Sequence, residues 1–527
     1  MRIAQSGPDE KAAAGHLPPP ALELSGISKR FGTVQANQDV SLRVAKGTIH
    51  GIVGENGAGK STLMSIVYGF YTADAGRILV AGQEVRIGTS AKAIEAGIGM
   101  VHQHFMLVES FTVLENVMLG AEGGALLRAG AVKVRAELSR LGREFGLIVD
   151  PDARISDLSV GDQQRVEILK ALLRHCSILI LDEPTGVLTP QETDQLFRIL
   201  HALKARGVTI LLITHKLKEV LAVTDNVTVM RGGQVVADRV TSGTTADELA
   251  ELMVGRKVRL TLEKGKTSPR APELAVENLS LVDERGIARL ADINLSVRGG
   301  EIVGIAGVSG NGQSELLEVL SGMRAPTGGA IQIGETRITS TQKVDPAIMR
   351  RIGLAHVPED RHRLGLVSGF PAAESAILGY QRDANLGGRF LFDRHAIFER
   401  CARLMQNFDV RPPQPLLGSS KFSGGNQQKL ILAREMNCRP RVLLVGQPTR
   451  GVDIGAIEFI HREIIALRDA GVAILLVSVE LDEIMALADR ILVMNQGRLV
   501  GDLAGGSCDE REIGLLMTGE SQVQAAP

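Results

Sequence analysis

The octapeptide Gly54-Glu55-Asn56-Gly57-Ala58-Gly59-Lys60-Ser61 constrains this chain more than any other segment, because it fits the pattern G-x-x-x-x-G-K-[ST] at every specified position. An apolar run, Ile49 to Val53, precedes it, and a segment of helical character, Thr62 to Tyr68, follows. The spacing therefore predicts a strand, a tight loop and a helix. Glycines in such a loop let backbone N–H groups turn inward around a polyphosphate, and the helix N-terminus adds partial positive charge. In this arrangement Lys60 reaches the β- and γ-phosphates and the Ser61 hydroxyl ligates Mg²⁺. Glu55, Asn56, Ala58 and Thr62 complete the cradle. A merely structural glycine-rich turn would need the full pattern and both flanks to coincide by accident.

Length points to more than one domain, since 527 residues exceed what a single core holds and suggest about three or four. Lys plus Arg (59) nearly cancels Asp plus Glu (60), so nothing indicates a nucleic-acid binder or an acidic tail. Zero Trp and three Tyr leave little for base stacking. No apolar run approaches the ~20 residues that span a bilayer. The longest, Val208–Ile213 and Val472–Val477, have the length and branching of buried parallel strands. Residues 1–20 lack an apolar signal core and read as a disordered lead-in. Cys176, Cys401, Cys438 and Cys508 show no C-x-x-C pairing, which fits reduced thiols better than disulfides or zinc.

The second half repeats the first. Leu252-Met253-Val254-Gly255 aligns with Leu516-Met517-Thr518-Gly519 at an offset of 264, which also places Leu181–Thr185 on Val445–Thr449 and Gly161 on Gly425. Gly54 falls on Gly307 at an offset of 253, so the second copy gains eleven residues (264 − 253) between these points. Two long homologous halves indicate internal duplication. Strand-like runs alternate with helical periodicity in each half, predicting an α/β fold with a mostly parallel sheet and a helical insert. The expected organisation is a first domain over 21–256, a linker over 257–272, a second domain over 273–520 and a tail over 521–527.

In the first copy, the apolar run Ser177–Leu181 ends in Asp182 and Glu183. A buried strand would deliver Asp182 to the sheet edge to hold Mg²⁺, and Glu183 would polarise an attacking water, help worth about 10²–10⁴-fold. Gln103 and His215 each follow another strand-like run, so both are expected at the same crevice: Gln103 near Mg²⁺ or the lytic water, His215 on a γ-oxygen. Phe31 is a candidate for stacking on an adenine ring.

A further motif, Ser423-Gly424-Gly425-Asn426-Gln427-Gln428, opens a helical segment and forms a second anion cradle; its first-copy counterpart is Ser159-Val160-Gly161-Asp162-Gln163-Gln164. With the phosphate loop and the Asp182-Glu183 strand, the chain resembles the ATP-binding-cassette ATPases over residues 22–519. The duplication is similar to the tandem ATPase subunits of bacterial importers for monosaccharides and nucleosides. The strings Val101–Val108 and Pro358–Gly365 are most similar to the nucleoside branch. The resemblance implies two cassettes packed head to tail, each ATP held between one copy's phosphate loop and the other's Ser-Gly-Gly. It also implies two integral-membrane permease subunits, an extracytoplasmic solute-binding protein, no second ATPase subunit, no nucleic acid, and a peripheral place on the cytoplasmic face of the membrane. Monosaccharide import is the alternative, and a tandem ATPase acting on ribosomes or DNA a more distant one.

The second copy departs at the reactive positions. Gln313 replaces the lysine, with Ser314 kept; Gly446 and Gln447 replace the two carboxylates; Val479 stands where His215 stands, and Glu359 opposite Gln103. The first copy departs elsewhere, with Val160 for the first signature glycine and Thr189 for an aspartate that the second copy keeps as Asp453. Under head-to-tail packing every intact element falls in one composite site: Lys60, Ser61, Gln103, Asp182, Glu183 and His215 with Ser423, Gly424, Gly425 and Asp453. Every departure falls in the other. One working site and one retired site are expected.

Overall fold

The computed structural model describes residues 19–102, 105–119, 127–186, 188–257, 264–265, 268–308, 310–387, 391–452, 454–506 and 508–518. Most of the expected lead-in, the tail, part of the linker, and the candidates Gln103 and Asp453 lie outside them. The chain divides into two compact units: one runs through Pro184 and resumes over Phe197–Thr245, the other comprises Thr185–Leu196 and everything from Ala246.

The strands of the first unit, in chain order, are β1 (Leu22–Phe31), β2 (Val34–Val44), β3 (Ile49–Gly54), β4 (Ala75–Val80), β5 (Gln83–Glu84), β6 (Ile98–Val101), β7 (Ile178–Asp182), β8 (Thr209–Ile213), β9 (Asn226–Arg231) and β10 (Gln234–Val240). They form a six-stranded sheet of order β10-β9-β3-β8-β7-β6 and a four-stranded sheet of order β2-β1-β4-β5. In the larger sheet only the β9–β10 pairing is antiparallel. Strands β3, β7 and β8 are buried along their whole length. Strands covered on both faces lose the apolar–polar alternation, which is why they read as unbroken aliphatic runs. The antiparallel sheet was not singled out from the sequence; its strands alternate buried and exposed residues irregularly and carry bulges.

Between β6 and β7 lies the helical insert. Its helix Val113–Met118 opens with a capping box in which Thr112 and Glu115 satisfy each other's backbone donors. The helix Val160–Leu173 starts at Ser159, whose side chain accepts from the Asp162 N–H.

The second unit repeats this plan at the offsets read from the sequence. Its strands continue as β11 (Pro272–Val282), β12 (Ala288–Arg298), β13 (Ile302–Ala306), β14 (Gly328–Ile333), β15 (Thr336–Thr339), β16 (Leu354–Val357), β17 (Val442–Gly446), β18 (Ala473–Val477), β19 (Arg490–Asn495) and β20 (Arg498–Ala504). Their sheets have orders β16-β17-β18-β13-β19-β20 and β12-β11-β14-β15. The β11 strand begins at Pro272, inside the stretch expected to be linker.

The packing boundary also differs from the repeat boundary. The helix Ala246–Val254 ends the first copy by alignment, yet it belongs to the second unit. Its apolar stripe of Leu249, Ala250 and Met253 is buried, it packs on the helix Ile454–Asp469, and Arg256 just beyond it pairs with Glu458 at 2.8 Å. Homology fixes which segments correspond; burial of an amphipathic face decides where each one packs.

Candidate active site

Parallel pairing sets the geometry of the first unit's site. Strands β3, β8 and β7 are neighbours running the same way, so their C-terminal ends open onto one edge of the sheet. The phosphate loop follows β3, Asp182 and Glu183 follow from β7, and His215 lies just past β8. Edges of this kind are where open α/β sheets bind ligands.

The loop glycines are fixed by close approach. Gly59 caps the helix Lys60–Val67 at φ 93°, and a Cβ there would sit 2.3 Å from the Ala36 carbonyl oxygen. A Cβ at Gly54 would sit 2.3 Å from the Met230 oxygen. Gly57 also has positive φ, at 85°. Asn37, a residue that no sequence signal marked, donates its amide N–H to the Gly59 oxygen at 3.1 Å and braces the loop from behind.

Lys60 is 5% exposed, and its ammonium donates to the Gly54 oxygen at 2.6 Å and the Glu55 oxygen at 3.1 Å. Burial pulls its pKa below the usual lysine value, opposed by the charges of Glu183, Asp182 and Glu55. Asp182 is buried at the end of β7; burial and the neighbouring Glu183 push its pKa up to about 6, against Lys60 and a hydrogen bond from Ser61.

Glu183 adopts φ 48° and donates its backbone N–H to the Ile213 oxygen at 2.8 Å, a turn that swings the side chain toward His215. The carboxylate meets His215 Nδ1 at 3.0 Å. Burial raises the pKa of Glu183, but the hydrogen bond and charge of His215, with Lys60 and Lys216, outweigh it and leave the carboxyl below its ordinary value. Glu183 is thus held as an anion, the state a general base requires. The sequence placed His215 against a phosphate oxygen; the structure gives its Nδ1 the carboxylate as partner.

Phe31 ends β1 with its ring 42% exposed, edge-on to Tyr71 at 5.1 Å between centroids and with the Lys29 ammonium 5.5 Å from its own. Ser61 and Thr62 lie on the first turn of the helix after the loop.

In the second unit Ser423 caps the helix Gly424–Met436, accepting from the Asn426 side-chain amide at 2.9 Å. A Cβ at Gly424 would lie 2.8 Å from an Arg361 guanidinium nitrogen and 2.8 Å from the Gly451 oxygen, so glycine is required there; Gly425 beside it is buried. Arg361 reaches past it to donate to the Arg450 oxygen at 2.6 Å. Val160, the first-copy counterpart of Gly424, is 40% exposed, and Thr189 caps its own turn through Glu192.

Gln313 replaces the lysine and is 5% exposed, its amide nitrogen buried without a hydrogen-bond partner among the described residues. Gln447 keeps the backbone of Glu183, with φ 48° and its N–H on the Val477 oxygen at 2.8 Å. Its side chain accepts from the backbone N–H of Val479, the residue in the place of His215, at 3.3 Å. The Ser314 hydroxyl donates to Glu359 at 2.5 Å.

The family model described as ABC transporter matches residues 37–186 and 290–450, more than half of the chain and both copies of the fold. The chain belongs to the ABC transporter family. As a tandem ABC ATPase it is 44% identical over 504 residues to the guanosine import ATP-binding protein of Bacillus subtilis, covering 96% of this chain and 98% of that one. It is 43% identical to the nucleoside import ATP-binding protein of Lactococcus lactis, covering 94% and 98%. The glucose import ATP-binding protein of Haloferax volcanii is 42% identical, covering 96% and 97%. The chain is therefore an ATP-binding ABC ATPase. No helix among the described residues is long and apolar enough to cross a membrane.

Proposed function

We propose that this ABC ATPase energises import of a nucleoside through two membrane permease subunits, supplied by an extracytoplasmic solute-binding protein, using one hydrolysing site per chain. The observation that carries the single-site reading is the asymmetry of the copies. Lys60, Asp182, Glu183 and His215 converge on one sheet edge in the first unit, where the second presents Gln313, Gly446, Gln447 and Val479.

In the hydrolysing site Lys60 exchanges its two carbonyl partners for β- and γ-phosphate oxygens. Its positive charge is what phosphoryl transfer needs and what the neutral amide of Gln313 lacks. Glu183, kept anionic and aimed by His215, accepts a proton from the attacking water. The Ser61 hydroxyl and Asp182 carboxylate, with Gln103 by family resemblance, would hold Mg²⁺. Asp182, whose pKa burial and then the neighbouring Glu183 push up to about 6, sits beside the Ser61 hydroxyl in a setting that fits a divalent cation. When bound, the metal supplies charge neutralisation on the phosphate oxygens. By the family resemblance, Ser423, Gly424, Gly425 and Asp453 of the second copy would act on the same ATP, with no second ATPase chain required.

Two exposed apolar side chains, Phe70 and Met106, are candidate contacts for a docked partner on the first unit. The Phe70 ring is 48% exposed, lies 5.3 Å from the His102 ring and 5.2 Å from Tyr68, and Met106 nearby in sequence is 58% exposed. The helical insert follows Met106 in the chain, and by the family resemblance closure of the copies on ATP would be passed through that insert to a permease at the cytoplasmic face. Monosaccharide import is the second reading, favoured by the 42% identity to a glucose importer subunit.

Steady-state ATPase assays on the full chain test the single-site reading. Glu183→Gln is expected to lower turnover by about 10²–10⁴-fold, and Gln447→Ala to cost less than a tenth as much. Comparable losses from both would overturn it. Radiolabelled uptake of guanosine against glucose decides the solute.

A further inference from the structure

In the first copy the metal-facing carboxylate comes from Asp182 at the end of β7, hydrogen-bonded by Ser61. Its second-copy counterpart is Gly446, at the end of β17, which brings no side chain. The space is nevertheless filled. A Cβ at Gly446 would lie 2.5 Å from Cγ of Glu359, 3.0 Å from its backbone nitrogen and 2.9 Å from Leu317 Cδ1. Glu359 follows the end of β16 and turns its side chain across the β17 end into the volume that an aspartate at 446 would take. There its carboxylate accepts the Ser314 hydroxyl at 2.5 Å, the bond Ser61 makes to Asp182 in the first copy.

The two changes are sterically coupled, since no side chain fits at position 446 while Glu359 holds this place. A carboxylate has moved from one strand end to the next without leaving the serine it serves. Formal charge is conserved as well. Lys60, Asp182 and Glu183 sum to −1 (one positive, two negative), and Gln313, Glu359 and Gln447 also sum to −1 (Glu359 alone). Drift after loss of function would not be expected to keep a serine–carboxylate pair by exchanging the residue that provides it.

We propose that the second copy is a metal–nucleotide holding site in which Glu359, on a different strand end from the usual acid, supplies the carboxylate ligand beside Ser314. The Glu359 carboxylate and the Ser314 hydroxyl oxygen would hold a divalent cation beside a bound nucleotide, where its charge would offset that of the phosphates. No turnover follows, because Gln447 cannot accept a proton from water and no lysine meets the γ-phosphate. The site keeps a nucleotide bound while the first copy cycles. This inference rests on the proposed ATPase reading.

The test is Mn²⁺ electron paramagnetic resonance on the full-length protein saturated with a non-hydrolysable ATP analogue. Wild type is expected to bind two Mn²⁺ per chain. Glu359→Ala and Glu359→Gln are each expected to bind one, with at least tenfold weaker affinity for the second. The glutamine retains an oxygen for Ser314, so its loss of metal separates ligation from local folding. One Mn²⁺ in wild type, or an unchanged second Mn²⁺ in Glu359→Gln, overturns the proposal. Turnover of Glu183→Gln is read separately, so failure of the hydrolysing-site reading is distinguishable from failure of this one.

Discussion

His356 offers a quantitative test of the second unit's packing. It lies in β16, 8% exposed, with Nε2 lacking a hydrogen-bond partner among the described residues. Burial lowers its pKa from 6.5 to about 4; Glu435 opposes that shift, and Arg350 and Arg434 reinforce it. The folded pKa is depressed, so below pH 6.5 the unfolded chain takes up a proton that the folded chain refuses. Stability from this group is fully present above pH 6.5 and is lost as pH falls toward 4. Between pH 7.5 and 4.5 the loss comes to about 2–3 kcal/mol by proton linkage. Replacing His356 with Leu removes the titration while keeping the site apolar. Urea unfolding of both proteins across this range should show wild type losing about 2–3 kcal/mol more than His356→Leu. Taking the difference cancels every group the two proteins share. Parallel pH profiles would refute the reasoning.

Two further outcomes follow from the geometry. Arg434, 2% exposed in its side chain, bonds Glu435 at 2.8 Å and the Gly365 and Ser375 oxygens, so Arg434→Met should remove the nearest positive charge from buried Glu435, leave it to the Tyr380 hydroxyl at 2.7 Å and the Arg350 guanidinium at 3.8 Å, and cost about 3 kcal/mol in the same unfolding assay. Gly59→Ala places a methyl 2.3 Å from the Ala36 oxygen at a φ that L-residues avoid, so it should weaken binding of a fluorescent ATP analogue more than tenfold, an effect of about 1.4 kcal/mol or greater.

Local chemistry made much of this protein legible. The strand, loop and helix around Lys60 follow from glycine spacing and aliphatic runs, because a doubly covered parallel strand has no alternating pattern to blur. The repeat offsets of 253 and 264 recur as the offsets of β3 to β13 and of β7 to β17. What stayed hidden depends on side chains meeting across strands. Glu359 read as a lost glutamine, since no one-dimensional pattern shows that its side chain crosses to the end of β17. The bond from His215 to Glu183 links residues 32 apart in the chain. The helix Ala246–Val254 was assigned by homology to one copy, while its buried face follows another partner.

Glu183 and Gln447 share an unfavourable backbone conformation, although only one of them can take a proton from water. The same holds for Asp39 with Asp292 and for His175 with Arg439, none of which lies at a nucleotide loop. Left-handed corners are therefore inherited with the architecture. A bent main chain at the acid of an ATPase of this kind records how the strand leaves the sheet, and it persists where a glutamine stands in place of the acid.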